Sequence, residues 1–347
     1  MKSRLPLRVG VLSFAHYHAN FWSEIFAQRG VLAGVWDDDA ARGREAAGRF
    51  GTAYRESLDD LLTECTAVAV CSETARHAEL IERAARRDAA VLCEKPLGTD
   101  LADCERIARN VREHEIFFMQ SFPKRFDPVT QRLQQAVASG ELGRITFARI
   151  RHGHFYGLEP DFAQRWYVRR ALSGGGALLD EGVHAADLLG LLFGRPESVV
   201  AQTSDAALGL DVEDLGIAVF RWPSGMLGEI VSSFTFAAAD ASIELYGTQG
   251  TLLVSGVDLA SRDITHDAFV RRFSRGAAER HWETLPVIPR FKRGEFHQQN
   301  AIAFCDALER GDPTPIPVEA GVEAGRMIDA AYRAASTGTR VAIESSE

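Results

Sequence analysis

The sequence predicts a two-domain α/β protein in which a doubly wound parallel sheet precedes an α+β domain with a large, open, mostly antiparallel sheet. Three observations support this fold class. The chain has 347 residues, more than the roughly 100–200 that one domain usually has. Its first third alternates short apolar runs with helical patterns, which predicts a parallel sheet. From residue 144 onward, segments of alternating polarity follow one another with short turns, which predicts an antiparallel sheet.

The N-terminal third repeats a strand-then-helix unit. An apolar run over 7–13 precedes a segment with apolar residues at helical spacing, at Ala19, Trp22, Ile25 and Phe26. Further apolar runs and helical patterns alternate over 31–37, 40–50, 66–72, from about 77, 89–95, 101–113 and 116–121. Because the runs are apolar throughout, we expect helices on both faces of the sheet. We therefore predict domains 1–121 and 122–347.

The second domain is predicted from a different pattern. Along 226–236, Met226, Ile230 and Phe234 fall on one strand face while Leu227 and Glu229 fall on the other. Helices are predicted over about 128–138, from near 180, and over about 295–310 and 318–337. The last helix is expected to pack back on the N-terminal domain. No element is assigned to 256–293.

Composition restricts the possible partners. The formal net charge of −9 argues against nucleic acid or an anionic membrane as a partner and favours a small molecule. The five cysteines are scattered without a C-x-x-C motif, which fits neither a disulfide framework nor a thiolate metal site. With no long apolar run and no cleavage signal, we expect a cytoplasmic protein.

The first strand-to-helix turn departs from the pattern expected of a nucleotide site. A dinucleotide-binding turn uses glycines so that the backbone reaches the pyrophosphate at the helix N-terminus. Here SFAHYH (13–18) replaces G-x-G-x-x-G. Asp37 is better placed, because it ends the second strand 19 positions after His18, close to the spacing of a carboxylate that binds the adenosine ribose. Such a carboxylate favours NAD over NADP; the alternative is that Asp37 and Asp38 cap the next helix.

Several motifs in order resemble one family. The segments CEKPLGTDL (93–101), VAVCSETARHAEL (68–80), FPKRFDP (122–128) and GGGALLDEGVHAADLL (174–189) are similar to motifs of the glucose-fructose oxidoreductase, inositol dehydrogenase and MocA (Gfo/Idh/MocA) family. YGTQGTL (246–252) and AAYRAASTG (330–338) also resemble its closing strand and helix. The resemblance covers nearly the whole chain. It implies a Rossmann domain, NAD as cofactor, and a sugar, inositol or related polyol as substrate.

The resemblance also implies the catalytic residues. Lys95 follows the fourth strand, at the edge of the sheet where α/β proteins bind ligands, and is expected to orient the reacting hydroxyl and relay its proton. Asp180 and His184 are expected to meet Lys95, with Asp180 fixing the substrate and His184 acting as acid/base or hydrogen-bond partner. A helix from near Leu179 would place both on one face with Asp187. Asp187 either orients the imidazole or caps a buried contact.

The remaining expected contacts are divided between cofactor and substrate. Cofactor contacts are expected from Ser13, Phe14, His16, Asp37, Ser72, His77, Glu94 and Lys95. Substrate contacts are expected from Lys95, Arg125, Trp166, Asp180 and His184. The glycines at 174–176 fit either a backbone that passes close to the cofactor or a flexible loop tip.

Two histidine pairs allow a metal interpretation that we do not adopt. His16/His18 and His152/His154 contain the commonest metal-binding side chain, but neither pair has a carboxylate at a recognised spacing, and the resembled family uses no metal. We expect no metal. Our hypothesis for His16 and His18 is that a cationic imidazole replaces part of what the missing glycines would supply.

The predicted function is NAD(H)-dependent hydride transfer at a secondary hydroxyl of a sugar, inositol or related polyol. Two alternatives stay open: a non-catalytic regulator that binds nucleotide or sugar, suggested by the altered turn, and an NAD-retaining hydrolase or lyase of the same fold. A homodimer or homotetramer through the C-terminal sheet is expected from the resemblance.

Overall fold

A computed structural model describes residues 6–237, 241–257, 270–277, 281–288 and 294–344. The chain divides into two compact units. Unit 1 runs to Pro123 and includes Gly294–Val322, and unit 2 comprises Lys124–Arg293 and the residues from Glu323 onward. Residues 294–322, which we predicted as part of the second domain, therefore lie in unit 1. Part of the unassigned segment 256–293 falls outside the described residues.

Strands and helices alternate through the first third of the chain, and strands dominate the remainder. The strands are β1 Val9–Leu12, β2 Leu32–Trp36, β3 Ala67–Val70, β4 Ala90–Cys93, β5 Phe118–Gln120, β6 Ile145–Gly153, β7 Ser198–Ser204, β8 Leu215–Arg221, β9 Leu227–Ser233, β10 Ala241–Gly247, β11 Gly250–Val257, β12 Val270–Ser274, β13 Trp282–Leu285 and β14 Val341–Ala342. The helices are α1 Ala19–Gln28, α2 Ala40–Phe50, α3 Leu58–Glu64, α4 His77–Ala85, α5 Leu101–Glu113, α6 Pro128–Ser139, α7 Arg170–Ser173, α8 Ala177–Asp180, α9 Gly182–Phe193, α10 Glu295–Arg310 and α11 Val318–Thr337.

Unit 1 contains a parallel sheet. Its strands have the order β2-β1-β3-β4-β5 among the described residues, and every neighbouring pair is parallel. All residues of β1, β3 and β4 are buried, as the continuously apolar runs predicted for strands with both faces covered. The carboxyl ends of β1, β3 and β4 consequently lie side by side, which places Ser13, Ser72 and Glu94 along one edge of the sheet.

Unit 2 contains a mixed sheet. In the described part of the chain its nine strands have the order β13-β12-β11-β10-β6-β9-β8-β7-β14, and of these neighbouring pairs only β6 and β9 run parallel. Gly228, Ile230 and Ser232 are buried while Leu227 is exposed, so the alternation predicted along β9 is confirmed. Together the two sheets confirm the predicted fold class.

One predicted helix is interrupted. The helix expected from near 180 is two helices, α8 ending at Asp180 and α9 beginning at Gly182, with Glu181 between them. Glu181 itself keeps a right-handed helical backbone (φ −98°, ψ −37°), so the expectation that Asp180 shares a face with His184 and Asp187 stays a prediction. His184 and Asp187 lie on α9, one turn apart.

Among the described residues, none of the helices combines the length and the apolarity that crossing a membrane would require.

Candidate functional site

The turn after β1 satisfies most of its own amide groups. Ser13 has a backbone φ of +73°, a left-handed conformation that glycine adopts at lower cost. The Ser13 hydroxyl accepts from the Ala15 N–H (3.1 Å), and Nδ1 of His16 accepts from the His18 N–H (3.2 Å). The N–H of Phe14 donates to Asp37 (2.7 Å). The serine thus reproduces the backbone bend of a glycine turn, while side chains occupy amides that such a turn would offer to a phosphate.

Asp37 is a buried carboxylate surrounded by donors. Its oxygens accept from the amides of Phe14 and Asp39 and from Nε and Nη2 of Arg42, at 2.7–2.9 Å. The cap of α2 is Asp39, which accepts from the amides of residues 41 and 42. The alternative that Asp37 caps this helix is therefore wrong. The Asp37 carboxylate instead links the turn after β1 to the end of β2.

Three imidazoles pack together beside this turn. The ring of His18 lies 4.1 Å from that of His16 and 3.7 Å from that of His297, centre to centre. Burial is the main cause that holds the pKa of His16 well below its ordinary value, and His18 and Lys95 also lower it. A lowered pKa favours the neutral form of His16, which argues against the hypothesis of a cationic imidazole at this position. Nδ1 of His18 lies 3.2 Å from the carboxylate of Glu94, whose negative charge would neutralise a positive charge on the His18 ring.

Glu94 and Lys95 follow directly after β4. The Glu94 side chain is fully buried and Lys95 is only 3% exposed. One Glu94 oxygen faces Nδ1 of His18 and the other accepts from the Ser121 hydroxyl at 3.2 Å. That hydroxyl in turn accepts from the Asn300 amide at 3.1 Å. This network fixes the backbone from which the Lys95 side chain leaves the sheet.

Ser72 and His77 join the end of β3 to the segment after β4. The two ring nitrogens of His77 lie 3.3 Å from the Ser72 carbonyl and 3.2 Å from the Leu97 carbonyl. Burial lowers the pKa of His77, while the two carbonyls raise it; the neutral ring has a single N–H and donates to one of these carbonyls at a time. We interpret this contact as a structural brace for the Lys95 segment.

Asp180, Glu181 and His184 lie at the break between α8 and α9. The His184 ring is buried, with 6% exposure, and lies 4.8 Å from the ring of His152 on β6. Nδ1 of His152 lies 2.6 Å from a Glu181 carboxylate oxygen, and Nε2 of His154 lies 3.7 Å from the other. This part of unit 2 therefore gathers three imidazoles and two carboxylates.

Two of the three glycines before α8, Gly175 and Gly176, are required by close packing. A Cβ atom at Gly176 would lie 2.0 Å from the carbonyl oxygen of Glu213, and one at Gly175 would lie 2.3 Å from the hydroxyl of Tyr332. The carboxylate of Glu213 accepts from the amides of Gly176 and Leu178 and from the Tyr332 hydroxyl. The flexible-tip interpretation is therefore wrong, because these contacts hold the turn that precedes Asp180.

Arg125 and Asp187 form a pair. Nε and Nη2 of Arg125 both donate to the Asp187 carboxylate, at distances of 2.6–3.1 Å, and Asp187 is buried. Of the two roles considered for Asp187, the structure shows the buried contact. Substrate binding by Arg125 stays a prediction, as does that by Trp166, whose half-buried ring lies 4.2 Å from the ring of Tyr167.

Two clusters among the described residues have ligand atoms close enough together for a metal ion. The clusters are His16/Cys71/Glu94 and His154/Asp180/Glu181. Burial raises the pKa of the Cys71 thiol well above its usual range, which disfavours the thiolate that a metal needs. Nδ1 of His154 accepts from the Tyr156 amide at 3.2 Å, so the proton of a neutral ring is on Nε2, facing Glu181. In both clusters the groups are arranged to share hydrogens with one another rather than to bind a metal ion.

Sequence reasoning missed several buried residues of these networks. Glu181 stands beside Asp180 inside the motif at 174–189, yet only the break in the helix turns its side chain toward β6. Glu213, His297 and Asn300 lie far along the chain from the groups they contact. Their sequence neighbourhoods are themselves polar, so nothing local marks these residues as buried without coordinates.

Comparisons with known proteins agree with this architecture. Residues 7–122 match the model described as an oxidoreductase family with an NAD-binding Rossmann fold. Residues 130–253 match the model of the GFO/IDH/MocA C-terminal domain.

Individual relatives cover most of the chain. A myo-inositol 2-dehydrogenase of Thermotoga maritima is 30% identical over 65% of this chain and 68% of its own length. A 1,5-anhydro-D-fructose reductase of Ensifer adhaerens is 28% identical over 92% and 93%. The structure of levoglucosan dehydrogenase in complex with NADH has a TM-score of 0.86 at 20% identity and covers 98% of this chain and 100% of its own, which is a likeness of fold.

The residues of unit 1 fit an NAD molecule at two places. The Asp37 carboxylate follows β2, the position from which an acidic side chain binds the adenosine ribose in this fold, so its contact with NAD stays a prediction. The amides of Ala15 and His18 donate to neutral side-chain acceptors, and exchanging such a bond for a phosphate oxygen costs little, since each contributes only about 1 kcal/mol net.

Proposed function

Because the chain belongs to the GFO/IDH/MocA family of NAD-binding oxidoreductases, we propose that it transfers a hydride between NAD and a secondary hydroxyl of a sugar, inositol or related polyol. The observation that carries this proposal is the buried Lys95 directly after β4, beside a Glu94 carboxylate held by His18 and Ser121. Relatives named as inositol dehydrogenase and anhydrofructose reductase support the substrate class.

The residues of the chain divide the work on the substrate. Lys95 donates a hydrogen bond to the reacting oxygen and holds it in place. Asp180 accepts from a neighbouring hydroxyl, which fixes the ring of the substrate. His184 takes the hydroxyl proton, as a neutral imidazole near neutral pH is suited to do. NAD, when bound, supplies the acceptor for the hydride.

Asp37 and the turn at 13–18 hold the cofactor in this proposal. Asp37 shares its oxygens between Arg42 and the ribose hydroxyls, while Ser13, Phe14 and His16 line the phosphates. Ser72, His77 and Glu94 contact the cofactor at the edge of the sheet beside Lys95. Arg125 and Trp166 contact the substrate.

The test is production of NADH, measured by absorbance, with NAD and a panel of inositols, aldoses and anhydrosugars. We expect turnover of at least one of them, and a fall in kcat of at least about 100-fold for Lys95→Ala or His184→Ala. The double variant should lose little more than the worse single variant, because both groups act in one step. Arg87→Ala, at an exposed basic residue of unit 1, is the matched control and should keep full activity.

The same experiment separates the two alternatives. Binding of NAD and a sugar without turnover in either direction would identify a regulator. Consumption of a glycoside with cofactor retained and no net NADH would identify a hydrolase or lyase.

Assembly and location belong to the proposal as well. We place the protein in the cytoplasm, consistent with five free cysteines and the net charge of −9. We also propose that two copies pair through the open face of the unit 2 sheet, where Val200, Ile217 and Leu227 are 38–46% exposed.

A further inference from the structure

Glu181 is a buried carboxylate in the gap between two helices. It follows Asp180 and precedes the first residue of α9, and it is 7% exposed. Its backbone carbonyl accepts from the His184 N–H at 3.2 Å. Burying a carboxylate is costly unless it is paired, so the groups around it indicate its role.

Those groups include the two histidines at the end of β6. His152 and His154 are two positions apart, so their side chains leave the strand on one face, and both are buried. Nδ1 of His152 lies 2.6 Å from a Glu181 carboxylate oxygen, an ion-pair distance at which the negative charge of Glu181 acts directly on the ring. A carboxylate at this distance favours the tautomer with the hydrogen on Nδ1, which leaves Nε2 as an acceptor when the ring is neutral.

His154 is held in the opposite tautomer. Its Nδ1 accepts from the Tyr156 amide, and its ring stacks on Phe234 at 5.2 Å with an interplanar angle of 17°. Its Nε2–H points toward the second Glu181 oxygen, at 3.7 Å. Glu181 thus faces two imidazoles from β6 and the residue that follows it, and the Asp180 carboxylate also lies within 4.8 Å of Glu181 and His154.

His152 connects this carboxylate to His184. The two rings lie 4.8 Å apart and are tilted by 33°. A negative charge behind a pair of packed imidazoles stabilises a positive charge on either ring, and the low dielectric of a buried site strengthens the effect. The groups therefore follow one another in the order Glu181 carboxylate, His152 imidazole and His184 imidazole. His184 is the proposed proton acceptor.

We propose that Glu181 and His152 are positioning residues that orient His184 and stabilise its imidazolium after it has taken the substrate proton. This inference rests on the proposed function for the identity of the reaction. In the step concerned, the O–H bond of the substrate breaks, its proton forms the N–H bond of the His184 imidazolium, and its electron pair closes the carbonyl as the hydride leaves. Glu181 and His152 change neither bonding nor oxidation state.

The first test is the pH dependence of kcat for polyol oxidation in Glu181→Gln and His152→Gln. Glutamine keeps the size of each side chain but removes the charge or the ring. We expect kcat to fall about 10-fold with KM changed less than about 3-fold, and the acidic limb of the profile to move to lower pH by about one unit, because an imidazolium without its counter-charge loses its proton more readily.

A matched control and a conservative variant separate this effect from a folding defect. Glu141→Gln removes a carboxylate of unit 2 that is paired with Arg132 and Arg272 and should leave the profile unchanged. Glu181→Asp should restore part of kcat and return the limb toward that of the wild type. Equal losses of kcat and thermal stability with an unmoved limb would overturn the proposal, and so would an unchanged kcat.

The second test needs no turnover. Long-range ¹H–¹⁵N correlation of the histidine rings in the protein without ligands should show His152 as the Nδ1–H tautomer. The His184 titration midpoint should fall by about one unit in Glu181→Gln but not in Glu141→Gln. If His152 shows the Nδ1–H tautomer and the His184 midpoint falls while no polyol is oxidised, the role of Glu181 and His152 is confirmed and the proposed function fails. If the His152 hydrogen is on Nε2, or His184 does not respond, the pair itself is refuted.

Discussion

Single residues on the cofactor side show how a turn without the usual glycines can keep its shape. Ser13 takes the left-handed backbone that glycine usually provides, which costs roughly 1 kcal/mol for a residue with a Cβ. Its hydroxyl regains part of this through the hydrogen bond from Ala15. The sequence of the turn lacks the usual glycines, but its backbone at Ser13 keeps the left-handed conformation that glycine usually provides.

Asp37 should govern the choice between NAD and NADP. Its carboxylate repels a 2′-phosphate and engages Arg42 through two nitrogens. In Asp37→Ser the repulsion is lost and Arg42 is released to bind phosphate, so we expect the ratio of NADP to NAD affinity to rise at least about 10-fold. Calorimetric titration of both nucleotides measures this ratio.

Asp39→Ser is the control for this prediction. It removes a neighbouring negative charge while serine keeps the cap of α2. A similar rise in both variants would mean that overall charge, rather than the position of Asp37, sets the preference.

The buried histidines of unit 1 predict a loss of stability in mild acid. Burial lowers the pKa of both His16 and His77, so below their ordinary value of about 6.5 the unfolded chain binds protons that the folded chain does not. The free energy of unfolding should therefore fall as the pH drops from about 6.5 toward the folded-state values, by up to about 1.4 kcal/mol per pH unit for each group.

Denaturant unfolding at pH 7.5, 6.5 and 5.5 measures this slope. His77→Gln should flatten it, because an amide has no proton to gain. His114→Gln, at a half-buried histidine that contacts its own helix, should keep the slope of the wild type. Equal slopes in all three proteins would contradict the assignment.

At the scale of elements, the turn that leads into α8 depends on glycine for space. In Gly176→Ala the new Cβ would lie 2.0 Å from the Glu213 carbonyl oxygen, so the backbone must move and the Glu213 contacts with Gly176 and Leu178 must break. We expect a loss of about 3 kcal/mol or more in the stability of unit 2, measured by thermal and denaturant unfolding.

Gly190→Ala provides the matched control within the same unit. A Cβ at this position in α9 meets no atom within 4 Å, and alanine is favoured over glycine inside a helix by about 1 kcal/mol. This variant should be as stable as the wild type or more so. If Gly176→Ala behaves the same way, the packing described for Glu213 is not what fixes the turn.

At the scale of the whole molecule, the open face of the unit 2 sheet should control assembly. Ile217 is 38% exposed on β8, and its cross-strand partners are Gln202 and Val231. A buried carboxylate in a sheet-to-sheet contact is costly, so Ile217→Glu should shift the protein to monomers in light scattering. Ile288→Glu, at an exposed apolar residue outside the strands, should not. A wild type that is monomeric at all concentrations would refute the proposed pairing.

Local patterns explain why much of unit 1 was predictable. The helix predicted over 101–113 is found at Leu101–Glu113, because its apolar spacing and the cap Asp100 are contiguous in the chain. The broken helix at Asp180 was not predictable in the same way. The start of α8 likewise depends on the Glu213 carboxylate, which accepts from amides that lie 35 and 37 residues away in the chain.

The amino-acid sequence alone determined the two sheets and the family, because apolar periodicity and short motifs are properties of neighbouring residues; the same motifs predict Lys95, Asp180 and His184 as the catalytic residues. Only the tertiary structure decided that burial lowers the pKa of His16, that Arg125 meets Asp187, and that Glu181 faces His152. Each of these depends on burial and on distances between residues remote in the chain, and such distances exist only once the chain has folded.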